Sequence, residues 1–254
     1  MSRNLHAEWT KLRSLADTGW LLLAIVVLTV AVGVAASAVV SCSPAACDHD
    51  PAKIIFFGVQ VSQAVVAILA VLAITGEYDT GMIHLTLAAM PRRTGVLAAK
   101  AIILAALTLV AGSVAVLASA LSAPHILLGN GFPAETLVLT SAPMLRAAVG
   151  SVLYLALIAL FGLGVATVVR DSATAVGVVL GLLYLFPALI LMVADADWQR
   201  LLWRISPMNA GLAVQATTGL ATLPLGPWSG LSVPAAWAAA ALLGGGLSLR
   251  GRDV

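Results

Sequence analysis

The sequence concentrates its charge between Glu77 and Lys100: carboxylates at Glu77 and Asp79, guanidinium groups at Arg92 and Arg93, and an ammonium at Lys100. Among and between them lie Tyr78, Thr80, Gly81, Met82, Ile83, Leu85 and Met90. Acids at the start of a segment favour the positive end of a helix dipole, apolar side chains in its middle can fill a groove, and a proline, here Pro91, stops it. That order suits docking to another protein. It does not suit catalysis, which needs a nucleophile beside its base or carboxylates held together over a bond. Gly76 is expected to end one helix, with Glu77, Asp79 and Thr80 opening the next.

A second polar cluster runs from Cys42 to Pro51 and holds Cys47, Asp48, His49 and Asp50. Two cysteines so close in sequence can close a small disulfide on the oxidising side of a membrane, stay as free thiols, or join His49 and the aspartates around a metal. The spacing matches no common ligand pattern, and no metal is expected. Gln60, Ser62 and Gln63 form a third group inside an apolar run, where side-chain amides either bond a neighbouring helix or line a substrate path. The sequence has no Gly-x-x-x-x-Gly-Lys-Ser/Thr phosphate loop and no Ser/His/Asp or Cys/His arrangement. ATP is therefore not expected to bind by that means, and the chain is expected to be no enzyme.

The elements that must carry these groups are set by composition. Hydrophobic residues make up 61% of the 254 and charged residues 9%, with a mean hydropathy of +1.06, against roughly 25% charged in a soluble domain. A span takes about 20 apolar residues, and the apolar runs predict six transmembrane helices in one domain over 1–254, at about 20–40, 53–75, 96–121, 145–169, 172–194 and 233–249. The net charge of +2 is too small to argue for nucleic acid.

Around the spans, residues 1–19 place Leu5, Trp9, Leu12 and Ala16 on one helical face, with Lys11 and Arg13 off it, the pattern of an amphipathic helix in the membrane interface. Residues 195–232 are expected to form an external loop with interfacial and re-entrant parts. In it, Trp198, Leu201, Leu202 and Ile205 mark an interfacial helix, and 219–234 dips into the bilayer or covers the outer surface. A loop is expected over 122–143, and a kink at Pro187. Lys100 stands close enough to the start of the third span to snorkel. Otherwise the spans are expected to hold no ionisable group deep inside, which argues against a proton- or sodium-coupled carrier. Arg3, Lys11, Arg13, Arg92, Arg93, Lys100, Arg170, Arg250 and Arg252 fall on one side, against Lys53, Arg146, Arg200 and Arg204 on the other. The positive-inside rule then puts both termini in the cytoplasm.

Gly76-Glu77-Tyr78-Asp79-Thr80-Gly81 with Ile83, then Leu87-Ala88-Ala89 with Pro91-Arg92-Arg93, then Lys100, resembles the first cytoplasmic loop of bacterial ABC-2 type transporter permeases. Glu8-Trp9-Thr10-Lys11-Leu12-Arg13 is similar to that family's N-terminal elbow helix. The resemblance implies a six-helix permease of a bacterial plasma membrane, with Trp9, Lys11 and Arg13 in the elbow and a coupling helix over 76–93. It implies two copies of the chain resting on two separate ATP-binding subunits, which would carry ATP and Mg. Glu77, Tyr78, Asp79, Thr80, Gly81, Met82, Ile83, Leu85, Arg92 and Arg93 would form the coupling interface. Gln60 and Gln63 are candidates for the path, and Cys42 and Cys47 for a disulfide. Export of an amphipathic or apolar compound such as a drug, antibiotic, lipid or peptide is the expected direction and cargo. The alternative is a membrane-embedded assembly or sensor protein that uses the same loop without moving cargo.

Overall fold

The computed structural model describes residues 16–42, 49–79 and 93–251. Among these, all regular structure is helical, and six helices are long and apolar enough to cross a membrane. In chain order the elements are α1 (Ala16–Val39), the short α2 (Pro51–Ile55), α3 (Phe57–Asp79), α4 (Arg93–Gly129), α5 (Ala142–Val169), α6 (Ser172–Leu180), α7 (Phe186–Ile190), α8 (Ala196–Ile205), α9 (Pro207–Leu212) and α10 (Pro227–Gly251). A π turn, Gly181–Leu185, joins α6 to α7, so the fifth span is the composite Ser172–Ile190. The disturbance expected at Pro187 thus begins just before it. Pro187 has no N–H to give back, and the Phe186 N–H reaches past a normal turn to the Gly181 carbonyl.

Contacts at the helix ends define the bundle's two poles. At one, Lys100 meets Glu77 and the Arg170 guanidinium bonds the Ser248 carbonyl at 3.2 Å. At the other, Asn130 Nδ2 donates to the Ser37 and Val40 carbonyls, and Arg146 to that of Ala216. α5 is the most buried span and packs against α3, α4 and α10, with Tyr154, Leu155, Ile158 and Leu163 fully enclosed. Five buried hydroxyls inside the spans are met locally: Thr29, Ser37, Thr75, Ser151 and Thr167 each donate to the carbonyl four residues earlier. This is the economical solution where no water is at hand.

Glycine sets how closely the spans approach. A Cβ on Gly58 of α3 would lie 1.9 Å from the Thr29 carbonyl oxygen of α1, and one on Gly164 of α5 would lie 2.5 Å from the Ala241 backbone of α10. Gly58 and Ala67 suit close packing between copies in composition, but they are used within the chain: Ala67 is buried against the Gly162 turn of α5.

Three sequence expectations are corrected. Gly76 does not end a helix, because α3 runs on to Asp79. Pro124 does not open a loop: α4 continues to Gly129, with Ala123 before the proline and Leu127 after it both fully buried. The final span begins at Pro227, and Pro234 lies inside it. Within 195–232, the part packed into the protein is 206–216. Ser206, Ala210, Val214, Gln215 and Ala216 are all buried there, while 220–222 form a surface turn. Ala134–Leu137 makes a short 3-10 turn within the 122–143 connection. The helix expected around Trp198, Leu201, Leu202 and Ile205 forms as α8, which carries no buried residue and leaves Trp198, Leu201 and Ile205 exposed.

The tight connection between the fourth and fifth spans relies on a cap. Arg170 takes a left-handed conformation, φ 66°, to end α5, and Asp171 then accepts from the Thr174 N–H at 2.8 Å to start α6. Hydrogen bonds from the Thr174 side chain and backbone hold the Asp171 carboxyl below its usual value. A lowered folded value means the cap stabilises above the unfolded pKa and fades as pH falls through the folded one. Asp171→Ala is expected to melt at lower temperature than the parent at neutral pH. The gap should close in acid, which a pair of melts at pH 7 and pH 3 reads directly.

Candidate functional site

The pole where α3 ends and α4 begins carries a collar of charge. α3 and α4 are antiparallel neighbours, joined by the segment 80–92, and their facing ends bring Glu77 and Lys100 together although 23 residues separate them. Lys100 Nζ donates to Glu77 Oε1 at 2.7 Å and to the Ala73 carbonyl at 2.9 Å. Both are enclosed, Lys100 at 1% exposure and Glu77 at 3%. Lys100 therefore does not snorkel outward. Its stem is long enough to turn back toward the end of α3, where a carboxylate and a carbonyl offset its desolvation. The pair lies at the ends of α3 and α4 and not deep within a span.

The next residue extends the collar to the fourth and sixth spans. Arg170, turning out of α5, lays its guanidinium over the Tyr78 ring, 5.7 Å from the centroid, while reaching the Ser248 carbonyl of α10. An arginine over an aromatic face adds electrostatic attraction to packing. The Tyr78 hydroxyl is buried and makes no hydrogen bond among the described residues. Glu77, Tyr78, Lys100, Arg170 and Ser248 thus tie α3, α4, α5 and α10 together at the point where segment 80–92 leaves and returns.

Of the proposed interface residues, Glu77 and Tyr78 are packed into this collar and Asp79 is the last residue of α3. Glu77 was expected to cap or orient a separate helix. It sits inside α3 instead, in its last turn, because the helix does not break at Gly76. Thr80, Gly81, Met82, Ile83, Leu85 and Arg92 lie outside the described residues, as do Trp9, Lys11 and Arg13, and Arg93 begins α4. Cys42 is disulfide-bonded, and Cys47 lies outside the described residues.

The two glutamines part company. Gln63 is fully buried and its Oε1 accepts from the Tyr154 hydroxyl of α5. Gln60 is half-buried and lines a cavity, while its backbone carbonyl accepts from the Tyr184 hydroxyl at 2.6 Å. Gln63 is thus a strut between spans, and Gln60 alone of the pair faces open space.

No protein-family model matches the chain, and no curated protein matches its sequence.

The opposite pole has its own polar staple, built on Asp50. Asp50 caps α2 through the Ala52 N–H, and its carboxylate also accepts from the Thr217 N–H at 2.6 Å, the Thr217 hydroxyl at 2.5 Å and the Thr218 N–H at 3.1 Å. Gln215 donates to the Ser151 hydroxyl at 2.9 Å. Together with Arg146 on Ala216, these bonds hold 206–218 between α3, α5 and α10. Among the described residues, no three His, Cys, Asp or Glu side chains come together to hold a metal. Asp50 followed by Pro51 is a local helix-start signal, but the bonds of Asp50 to Thr217 and Thr218, like that of Gln215 to Ser151, come only from the tertiary structure.

Proposed function

We propose that this chain is the transmembrane permease subunit of an ATP-driven exporter of the ABC-2 type, working in a bacterial plasma membrane with both termini in the cytoplasm. Two copies would share a translocation path, and each would rest on a separate ATP-binding subunit that carries ATP and Mg. The observation that supports this best is the collar. Segment 80–92 is anchored at both ends to helices joined by a buried ion pair, and Arg170 extends that joint to two more spans. A push on such a segment would reach four spans as one body, which is what a subunit driven from outside the membrane requires. The apolar order Met82, Ile83, Leu85 then supplies the surface that the motor would hold, with Arg92 at its end.

Burial of Glu77 decides how the idea must be tested, because a substitution there perturbs folding as well as docking. The tagged chain should be purified from its native membranes in mild detergent, with Ile83→Asp and Arg92→Ala in parallel. An ATP-binding subunit in about equal amount is expected with the parent. Ile83→Asp is expected to lose it at unchanged melting temperature, and Arg92→Ala to reduce ATPase activity in the complex. Recovery of the chain with a partner that hydrolyses no ATP would replace the exporter by a membrane-embedded assembly or sensor protein.

A further inference from the structure

At the pole opposite the collar, two neighbouring cavities share Lys53, Phe57 and Leu223 in their walls. The outer one, about 600 Å³, lies between the end of α1, residues His49 to Phe57 and the turn at Thr218 to Leu223. The inner one, about 360 Å³, passes Gln60 and reaches the inserted segment at Asn209 and Gln215. Both volumes fall within the roughly 300–1,000 Å³ of small-molecule sites.

The outer cavity is lined by one cation and one anion, which differ in what they can still bind. Lys53 is exposed at the shared rim and forms no ion pair among the described residues. Asp50 is buried and already accepts four hydrogen bonds from Ala52, Thr217 and Thr218, which leaves the ammonium as the charged group open to a ligand. His49 is the remaining titratable group of the lining. Past the rim the inner walls are largely apolar, with Phe57, Trp203, Met208 and Leu212, and carry the amides of Gln60, Asn209 and Gln215 as the polar features. A cation at the mouth and an apolar chamber behind it call for a ligand with a charge at one end and hydrocarbon at the other.

We propose that this double cleft binds an amphiphile with one anionic head group and one hydrocarbon tail, the head at Lys53 and the tail in the chamber of Phe57, Trp203 and Leu212. The site goes beyond the transport reading and needs no ATP-binding subunit, so either can fail without the other. The test uses the full chain in phosphatidylcholine nanodiscs with radiolabelled dodecyl phosphate. Saturable binding is expected, with dodecanol and inorganic phosphate each competing at least tenfold more weakly than unlabelled dodecyl phosphate. Lys53→Gln should weaken binding about tenfold, the scale of one lost charge-assisted hydrogen bond, and Lys53→Arg should retain it. Leu212→Trp, which fills the inner chamber, should weaken it independently of the head group. Absence of saturable binding, unchanged affinity in Lys53→Gln, or dodecanol competing as well as dodecyl phosphate would overturn the proposal. Equal competition by inorganic phosphate would also overturn it, because the site would then take a free anion without a tail.

Discussion

Glu77→Ala is expected to destabilise the folded chain by about 3–5 kcal/mol, the usual cost of removing one member of a buried pair. The cost arises on the partner. Lys100 is 1% exposed and its Nζ is 2.7 Å from Glu77 Oε1, so without the carboxylate it keeps the Ala73 carbonyl but loses the counter-charge that offsets its desolvation. The double variant Glu77→Gln with Lys100→Met removes both charges and keeps the volume, and it should recover most of the loss. Thermal melts of the parent, Glu77→Gln, Lys100→Met and the double variant in one detergent form the cycle, with Glu77→Ala beside them. A single variant melting with the parent would show that the pair carries no weight in the collar. If Glu77→Ala folded well and still lost ATPase coupling, its role would be at the motor surface.

Gly58→Ala and Gly164→Ala are each expected to cost about 3 kcal/mol or more, at the upper end of what overpacking does. The added methyl would meet backbone, which cannot rotate out of the way: the Thr29 carbonyl at 1.9 Å for Gly58, and Ala241 at 2.5 Å and Leu242 at 2.6 Å for Gly164. Relief requires α1 to move off α3, or α10 off α5. Gly177 is the control, being helical with nothing within 4 Å of an added Cβ. Its alanine variant should match the parent or exceed it slightly, by the helix propensity gained. If all three alanine variants melted together, the close approaches would not be what holds these spans. If Gly58→Ala disrupted a dimer while leaving the monomer intact, its contact would lie between copies and not with Thr29.

Much of the architecture was legible without coordinates, for a physical reason. Hydrocarbon demands long apolar runs, and the runs around Ile25, Val66, Leu104, Ile158 and Val179 leave no other stable arrangement than helices across a membrane. The amphipathic order of Trp198, Leu201 and Ile205 likewise declares α8, because the period itself is the signal.

Punctuation misled where packing outweighed it. Gly76 and Pro124 break helices in isolation, yet α3 and α4 run through them, because continued burial of their faces is worth more than the local cost. The site was legible only as a stretch. The cluster from Glu77 to Arg93 stood out by charge, but local sequence does not say that Glu77 turns inward to a lysine 23 residues on, or that Arg170 reaches Tyr78 and α10.

The same holds for Gln60 and Gln63, three positions apart and alike in chemistry: α5 places Tyr154 on one of them, and a cavity opens beside the other. By itself the sequence determined how many helices are long and apolar enough to cross a membrane and where its charge gathers, since those follow from composition along one dimension. Which charges are buried, which amide is a strut, and where a cation is left facing a cavity were decided by the tertiary structure, because each depends on what a distant helix brings within a few ångströms.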